Sequence, residues 1–331
     1  MEYLASEIQL KILQNLNFDD LFAIKRTNQY FYNFINKYYK ESFPRKTFQM
    51  LDFMDVHGKR LMFKLNDYPL SNQLRKKWLY ALHNRIPVFY EIENNVRMKE
   101  RKYLGLVLLG GESIFYLEFP LYPNNIKELK MISYWLKQIF ICDFEVINFE
   151  KFILNPEMVK LLFDNDEIKK FKFNCNCVYT AFLYGNTWIF NSDYLLINNY
   201  IKINFRHCFY TSENYILLNL LSNIGDRIPC VYLENNSENL NFSLHLFYNT
   251  LIKHLATSKD LSNIVNKIKI NYNNHNIYEL IVKGVEISEI NVLTKCYKIA
   301  NINDPKMKFL IKWGEFDKDD LTENIIITRI K

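Results

Sequence analysis

Beyond residue 104 the chain alternates short strand-like runs with runs of helical period, and this alternation limits the possible folds more than any other feature. Leu104–Leu109 and Ile114–Phe119 read as strands joined by a Gly110-Gly111 turn. Ile132–Ile141 has helical period, and Phe144–Phe149 reads as a strand. Asn155 is placed to cap a helix with Pro156 at its first position, running to about Phe163, and Ile168–Phe173 then alternates as a strand. The unit recurs: strand Tyr200–Phe205, helix Ser212–Asn223 closed by Gly225, strand Ile228–Leu233, helix Leu244–Ala256, strand Ile264–Ile270. Strand centres fall roughly 25–40 residues apart. Tyr297–Ile302, Met307–Trp313 and Ile325–Ile330 close the chain as antiparallel strands.

Composition narrows the class. A chain of 331 residues suggests about two domains. Hydrophobic residues make up 49% and aromatics 16%, spread along the whole length, which excludes intrinsic disorder. Only 8 Gly and 8 Pro exclude collagen-like and low-complexity classes. No run approaches the roughly 18 uncharged apolar residues of a membrane span, so no membrane contact is expected. Glu2 and Glu7 stand where a signal peptide carries positive charge. Cys142, Cys175, Cys177, Cys208, Cys230 and Cys296 have neither zinc spacing nor a disulfide framework. They read as reduced thiols of a protein of the cytoplasm and/or nucleus, not a secreted one.

Residues 4–40 carry a second pattern. Leu4, Ile8, Ile12, Leu13 and Leu16 recur at three- and four-residue steps, the face of a helix from about Glu7 to Leu16. Ser6 and Gln9 have capping-box spacing. Asp19 is placed to cap a second, short helix with Leu21, Phe22 and Ile24. Asn28 is placed to cap a third, with Phe31, Phe34, Ile35 and Tyr38 on one side. Three short helices cannot bury all these side chains among themselves, so the surplus goes to the rest of the chain or to a partner.

These residues resemble a known family. Leu4, Glu7-Ile8, Ile12-Leu13, Leu16 and Asp20-Leu21 stand, without a gap, at the spacing of the F-box. One position departs: the family's proline after the first leucine is Ala5 here. Phe18–Asn28, Phe152–Asp166 and Leu255–Leu261 look like an expanded nematode group of F-box proteins. The resemblance implies a non-catalytic substrate-recognition subunit of a Skp–cullin–F-box ubiquitin ligase. Its N-terminal helices would dock a Skp-type adaptor, and through it a cullin scaffold, while the following domain selects a protein substrate. The residues it assigns to the adaptor are Leu4, Ala5, Ile8, Ile12, Leu13, Leu16, Leu21 and Ile24. Such docking is helix-in-groove, dominated by a few apolar anchors.

The division expected is therefore an F-box over 1–42, a basic and mainly helical connector over 43–103, and an αβ repeat-like substrate-binding domain over 104–331. The expected fold class is mixed α/β, with the repeat domain resembling a leucine-rich-type solenoid: a curved sheet with helices outside. Strand residues alternating outward would line its binding face, and the candidates are Lys170, Lys172, Lys202, Asn204, Lys267 and Lys269. Residues 59–102 hold eleven Lys or Arg against four acids, more than the whole chain's net charge of +6. Phe63, Tyr68, Trp78 and Tyr80 interleave with them, yet no nucleic-acid module pattern is present. A solvated linker and helix face is the preferred reading, above contact with an acidic substrate or a nucleic acid.

No catalytic motif is found. His57, His83, His207, His245, His254 and His275 form no metal or deaminase pattern. There is no nucleophile elbow and no phosphate loop. Asp317, Asp319 and Asp320 lack the glycine and glutamate of a calcium loop. No cofactor or metal is expected. The alternatives to a ligase receptor are a protein-binding module with a degenerate F-box, motivated by Ala5, and a nucleic-acid-binding protein using Arg75, Lys76 and Lys77.

Overall fold

A computed structural model describes residues 3–16, 18–25, 27–42, 45–54, 70–91, 103–110, 113–169, 171–181, 194–204, 211–234, 241–272, 286–290, 295–316 and 323–330. Three helices come first: α1 (Ser6–Gln14), α2 (Phe18–Lys25) and α3 (Gln29–Ser42). Leu13, Leu21, Phe31 and Ile35 meet as a small hydrophobic core of their own, with Leu10, Leu16, Ile24, Phe34 and Tyr38 packed around it. Asn28 caps α3 as its position suggests, its Oδ1 accepting the Phe31 N–H at 2.9 Å. The expected Ser6–Gln9 box does not form. The N-cap of α1 is Ala5, without a side-chain cap. Gln9 is buried instead, donating to the Leu4 carbonyl at 2.6 Å and accepting the Tyr30 hydroxyl at 2.9 Å. α2 begins at Phe18, which places Asp19 inside the helix rather than at its cap.

The remaining described chain is mixed α/β. It runs β1 (Thr47–Met54), α4 (Asn72–His83), β2 (Phe89–Glu91), β3 (Tyr103–Gly110), β4 (Ser113–Pro120), α5 (Ile126–Phe140), β5 (Asp143–Phe149) and β6 (Phe152–Leu154). There follow α6 (Pro156–Leu162), α7 (Asn165–Ile168), β7 (Phe173–Ala181), β8 (Leu195–Asn204), α8 (Thr211–Asn223), β9 (Cys230–Glu234) and α9 (Asn241–Thr257). β10 (Lys267–Tyr272), β11 (Glu286–Ile290), β12 (Lys295–Ala300), β13 (Lys308–Phe316) and β14 (Glu323–Ile330) complete it. One sheet takes twelve of these strands in the order β11-β12-β13-β14-β10-β9-β8-β7-β5-β1-β3-β4, and β2 pairs only with β6.

The middle of the sheet is parallel: β1, β5, β7, β8, β9 and β10 lie side by side in chain order. Parallel neighbours need a crossover. α6 and α7 lie between β5 and β7, α8 between β8 and β9, and α9 between β9 and β10. Both margins are antiparallel, β3–β4 beside β1 and β14–β13–β12–β11 beside β10. The helix–strand repeat is thus confined to the parallel run and does not extend from end to end.

Segment 43–103 differs from a mainly helical connector. Its β1 sits inside the sheet, between β3 and β5. The run Phe48, Leu51 and Phe53 in β1 explains why, since all three are buried. Ile168–Phe173 is also not a strand: α7 ends at Ile168 and β7 begins at Phe173. The closing strands β12, β13 and β14 are antiparallel, as their sequences suggest, and β14 pairs with β10, so they extend the main sheet at its margin.

One face of the sheet is the core. Leu51, Ile147, Val178, Ile201, Val231, Ile268, Ile327 and Ile311 are cross-strand partners in a single row, none more than 2% exposed. The apolar sides of α5, α8 and α9 join the same core through Leu129, Ile132, Leu218, Leu221, Phe247 and Leu251. Phe173 stands among rings, 4.4 Å from Phe140 and 6.3 Å from both Phe144 and Phe149. Each such fully buried side chain is worth about 1.5–3 kcal/mol of transfer free energy. Asn155 caps α6 at the Glu157 N–H, 2.9 Å, and ties it down by donating to the Pro87 carbonyl at 2.7 Å. Gly225 gives its N–H to the Asn263 carbonyl at 2.7 Å, and a Cβ there would collide with the Ile264 carbonyl.

Candidate functional site

Two surfaces carry chemistry that the cores do not use. The first is α1. Leu4, Ile8 and Ile12 lie one helical turn apart and are 42%, 50% and 39% exposed. Ile8 and Ile12 on α1, with Leu4 just before its N-cap, form an exposed apolar strip. Ala5, at the N-cap, is exposed beside them. Leu13 and Leu21 do not belong to this stripe. Both turn inward and are the centre of the three-helix core; on α1 the step from Ile12 to Leu13 turns the side chain by about 100°, from the exposed side into that core. Leu16 and Ile24 are half-buried against that core.

The second surface is the face of the sheet opposite the core. On each strand the neighbours of the buried row point outward, since successive side chains alternate. They form the row Tyr179–Lys202–Tyr232–Lys269–Ile326–Lys312 across β7, β8, β9, β10, β14 and β13. One step along the strands, Cys177, Tyr200, Cys230, Lys267, Thr328, Leu310 and Lys298 form a second row. The Tyr179 and Tyr200 hydroxyls lie 3.3 Å apart, and the Tyr200 and Tyr232 rings 4.5 Å apart. Lys202 reaches over the Tyr179 ring at 5.7 Å, and Lys269 over Tyr232 at 4.5 Å, which places ammonium groups on ring faces. Lys202 also pairs with Glu234 at 2.9 Å. Burial pushes the Tyr200 phenol up, and its bonds with Tyr179 and Cys177 add to the rise. It stays protonated and neutral at physiological pH.

Of the six strand candidates, Lys202, Lys267 and Lys269 are on this face. Lys172 is exposed but precedes β7. Lys170 lies outside the described residues. Asn204 is fully buried, with its Nδ2 donating to Glu150 Oε1 at 3.4 Å, so it is no surface contact. Tyr179, Tyr200, Tyr232, Lys298 and Lys312 were not singled out from the sequence. The signal was present in the alternation of Tyr or Lys with Ile or Val, but rows become visible only with the register.

The basic stretch is only partly described. Arg75 and Lys76 are exposed on α4, while Lys77 donates to the Lys160 and Phe163 carbonyls at 3.3 and 3.1 Å. Lys77 is therefore a tie between α4 and the end of α6. Trp78 adds a third contact there, its Nε1 donating to the Leu162 carbonyl at 3.4 Å.

A groove of about 670 Å³ lies between α8 and α9, lined by Asn219, Ser222, Asn249, Lys253, His254 and Asp260 among others. Ser222 Oγ is 2.8 Å from His254 Nε2 and 2.8 Å from the Leu218 carbonyl. The single hydroxyl proton goes to the carbonyl, which has no proton of its own. The histidine must then donate from Nε2, the reverse of the transfer that activates a nucleophile. Burial lowers the His254 pKa, which agrees with a neutral imidazole held as a structural donor. Among the described residues, no group of three or more His, Cys, Asp or Glu is placed to hold a metal, and no helix is long and apolar enough to cross a membrane. Cys142, Cys175, Cys177, Cys230 and Cys296 are free thiols. Desolvation pushes Cys142 up to about 12 and raises Cys175, Cys177 and Cys230, which keeps them as inert thiols. Cys208 lies outside the described residues.

Residues 60–206 match a domain of unknown function (DUF8381). The match is less than half of the chain; it spans α4 to β8 and leaves out the three N-terminal helices and everything from α8 onward. It runs across residue 103 without a break, in agreement with the way α4 is tied to the end of α6 by Lys77 and Trp78. No curated protein and no solved structure matches the chain.

Proposed function

We propose that the chain is a non-catalytic substrate receptor, docking a Skp-type adaptor through α1 and selecting a protein target with the sheet domain. The observation that carries this reading is the division of labour within residues 4–35. Leu13, Leu21, Phe31 and Ile35 supply the core, and Leu4, Ile8 and Ile12 are left outward in one line at F-box spacing. A helix with two exposed isoleucines one turn apart and an exposed leucine just before its cap suits helix-in-groove recognition. The parallel run β5–β7–β8–β9–β10 is, on this reading, the solenoid-like part of the domain. Its tyrosine- and lysine-bearing face is the substrate side.

The experiment is co-expression with a Skp-type adaptor followed by size-exclusion chromatography. Wild type is expected to co-elute as a one-to-one complex. Joint replacement Ile8→Asp and Ile12→Asp is expected to abolish co-elution with no change in the circular dichroism spectrum. Truncating each anchor should weaken binding by about 1–3 kcal/mol. Retention of the adaptor by the double variant would remove the assignment. A wild-type chain that elutes alone would favour the second reading, a binding module without a ligase. The exposed Ala5, where the F-box pattern has proline, is the observation behind that reading.

A further inference from the structure

α8 and α9 are the crossovers on either side of β9, and polar side chains line the groove of about 670 Å³ between them. On α8, Tyr215, Asn219 and Ser222 follow at steps of four and three along one side of the helix. On α9, Asn249, Lys253 and Thr257 follow at steps of four. A helix side turned toward a packed neighbour is ordinarily apolar. Here, among the described lining residues, the large apolar groups are Leu218 and the Tyr215 ring. The charges on the described lining residues cancel, since Lys253 and Asp260 carry one each and the His254 imidazole is neutral.

From this geometry we infer that the groove is a binding site for a neutral oligosaccharide. A sugar hydroxyl both donates and accepts, and so does a side-chain amide. On α8, Asn223 Nδ2 donates to the Asn219 carbonyl at 2.7 Å and to Asn219 Oδ1 at 2.6 Å. That pairing leaves Asn219 Nδ2 to donate and Asn223 Oδ1 to accept, side by side. On α9, Asn249 Oδ1 has no hydrogen-bond partner although water scarcely reaches it. An unmet acceptor of this kind costs stability and marks a place that awaits a donor. The terminal torsion of asparagine is soft, so the amide can turn to a ligand in the groove. Tyr215 is 68% exposed, and its ring makes no contact with another ring or a cation among the described residues, so a face is open. Such a face carries partial negative charge, and the polarised C–H groups of a pyranose pack on it. The volume falls within the range of about 300–1,000 Å³ common to ligand pockets. An anionic ligand is the poorer fit, because Asp260 offsets Lys253. So is a polypeptide, whose docking relies on apolar anchors in apolar pockets, where this groove offers the buried Leu218. The site makes no use of α1 and stands or falls independently of the adaptor reading.

The test is isothermal titration calorimetry with the full chain. Maltotriose, cellotriose and chitotriose are the neutral probes, trigalacturonic acid is the acidic one, and an alternating Ala-Gly hexapeptide presents a bare main chain. At least one neutral trisaccharide is expected to bind at millimolar concentration or below, with an affinity that does not change with salt. Asn249→Leu should weaken that binding at least tenfold and raise the melting temperature, because the unmet acceptor is gone. A residue kept for structure alone would not gain stability on removal. Tyr215→Ala should weaken binding at least threefold at an unchanged melting temperature, and Tyr215→Phe should bind as wild type does. Failure of all three neutral probes to bind overturns the inference, as does binding that neither Asn249→Leu nor Tyr215→Ala weakens. Tighter binding of trigalacturonic acid that Lys253→Gln abolishes also overturns it and makes the groove an anion site. Displacement of the sugar by the hexapeptide overturns it in favour of a peptide groove. Co-elution with the adaptor has no bearing on any of these outcomes.

Discussion

The three N-terminal helices and the sheet bury apolar residues in opposite ways. The sheet has one face for the core and covers it with α5, α8 and α9, so that whole rows of Ile, Val and Leu become inaccessible. The helices gather only Leu13, Leu21, Phe31 and Ile35 at their centre and leave Leu4, Ile8 and Ile12 in contact with water. No residue belongs to both cores. A large core tolerates loss because stability is shared over many rows, whereas a very small one rarely supplies more than about 3–5 kcal/mol in all. The contrast teaches that the helices are marginal by themselves and leave apolar surface exposed, while the sheet shares its stability over many buried rows.

The largest expected effect is in the sheet. Phe173→Ala removes a ring that is 1% exposed and packed against Phe140, Phe144 and Phe149. Truncations of this kind cost about 3–5 kcal/mol. Urea unfolding followed by tryptophan fluorescence should show the unfolding free energy falling by that amount, through a lower midpoint at an unchanged slope. Adaptor co-elution at low denaturant should persist, because the helices have their own core. Loss of the adaptor together with the sheet would show that the two cores are one cooperative unit.

The next effect separates neighbours on one helix. Leu13→Ala should cost about 2–5 kcal/mol, as much as the whole three-helix core supplies, so the helices should unfold outright. Ile12→Ala changes an exposed site and should stay within about 0.5 kcal/mol. The readout is the far-ultraviolet signal of a fragment-free, full-length chain, compared with the fluorescence transition of the sheet. Equal destabilisation by the two substitutions would break the division between core and stripe.

Much of this was legible before the register was known, and the reasons are local. Helices with caps or strong period, such as those begun by Asn28 and by Asn155-Pro156, fall where their sequences place them. The hairpin of β3 and β4 is equally plain, since apolar runs flank the glycine pair in the sequence, with β3 buried and β4 at the edge. The failures are of another kind. β1 reads weakly because its alternation slips: Phe48 is buried, then Leu51 and Phe53, with a three-residue step between. Its partner β5 slips at the same level, from Phe144 to Ile147, and the two are paired at both positions. Such an irregularity is set by the neighbouring strands, not by either sequence alone. For the same reason Asn204, which alternates correctly outward with Lys202, is nonetheless buried. On α1 the spacing places the helix but cannot tell the exposed Ile12 from the buried Leu13, since apolar residues one apart both fit a helical period.

The smallest expected effect sharpens the comparison from the sheet side. His254 lies half-buried on α9 with Nε2 at 2.8 Å from Ser222, and Lys253 and Asp260 line the same groove. Desolvation holds its pKa below the ordinary value. The unfolded chain, with a histidine near 6.5, therefore takes up the proton first as the pH falls. Protons bound preferentially by the unfolded state make stability rise with pH. The contribution is fully present above about pH 6.5 and is lost as the pH drops from there toward the lowered native value. In urea titrations between pH 8 and 5, wild type should show a fall in midpoint that begins near pH 6.5. His254→Gln keeps a donor for Ser222 and should show less of that fall, so the difference between the two chains isolates the histidine from the carboxylates, which both share. The helical core contains no histidine, and so adaptor co-elution should be the same for both chains across this range. A variant whose pH profile runs parallel to wild type would mean that His254 is as accessible to protons in the folded chain as in the unfolded one, and that the α8–α9 groove opens freely to water.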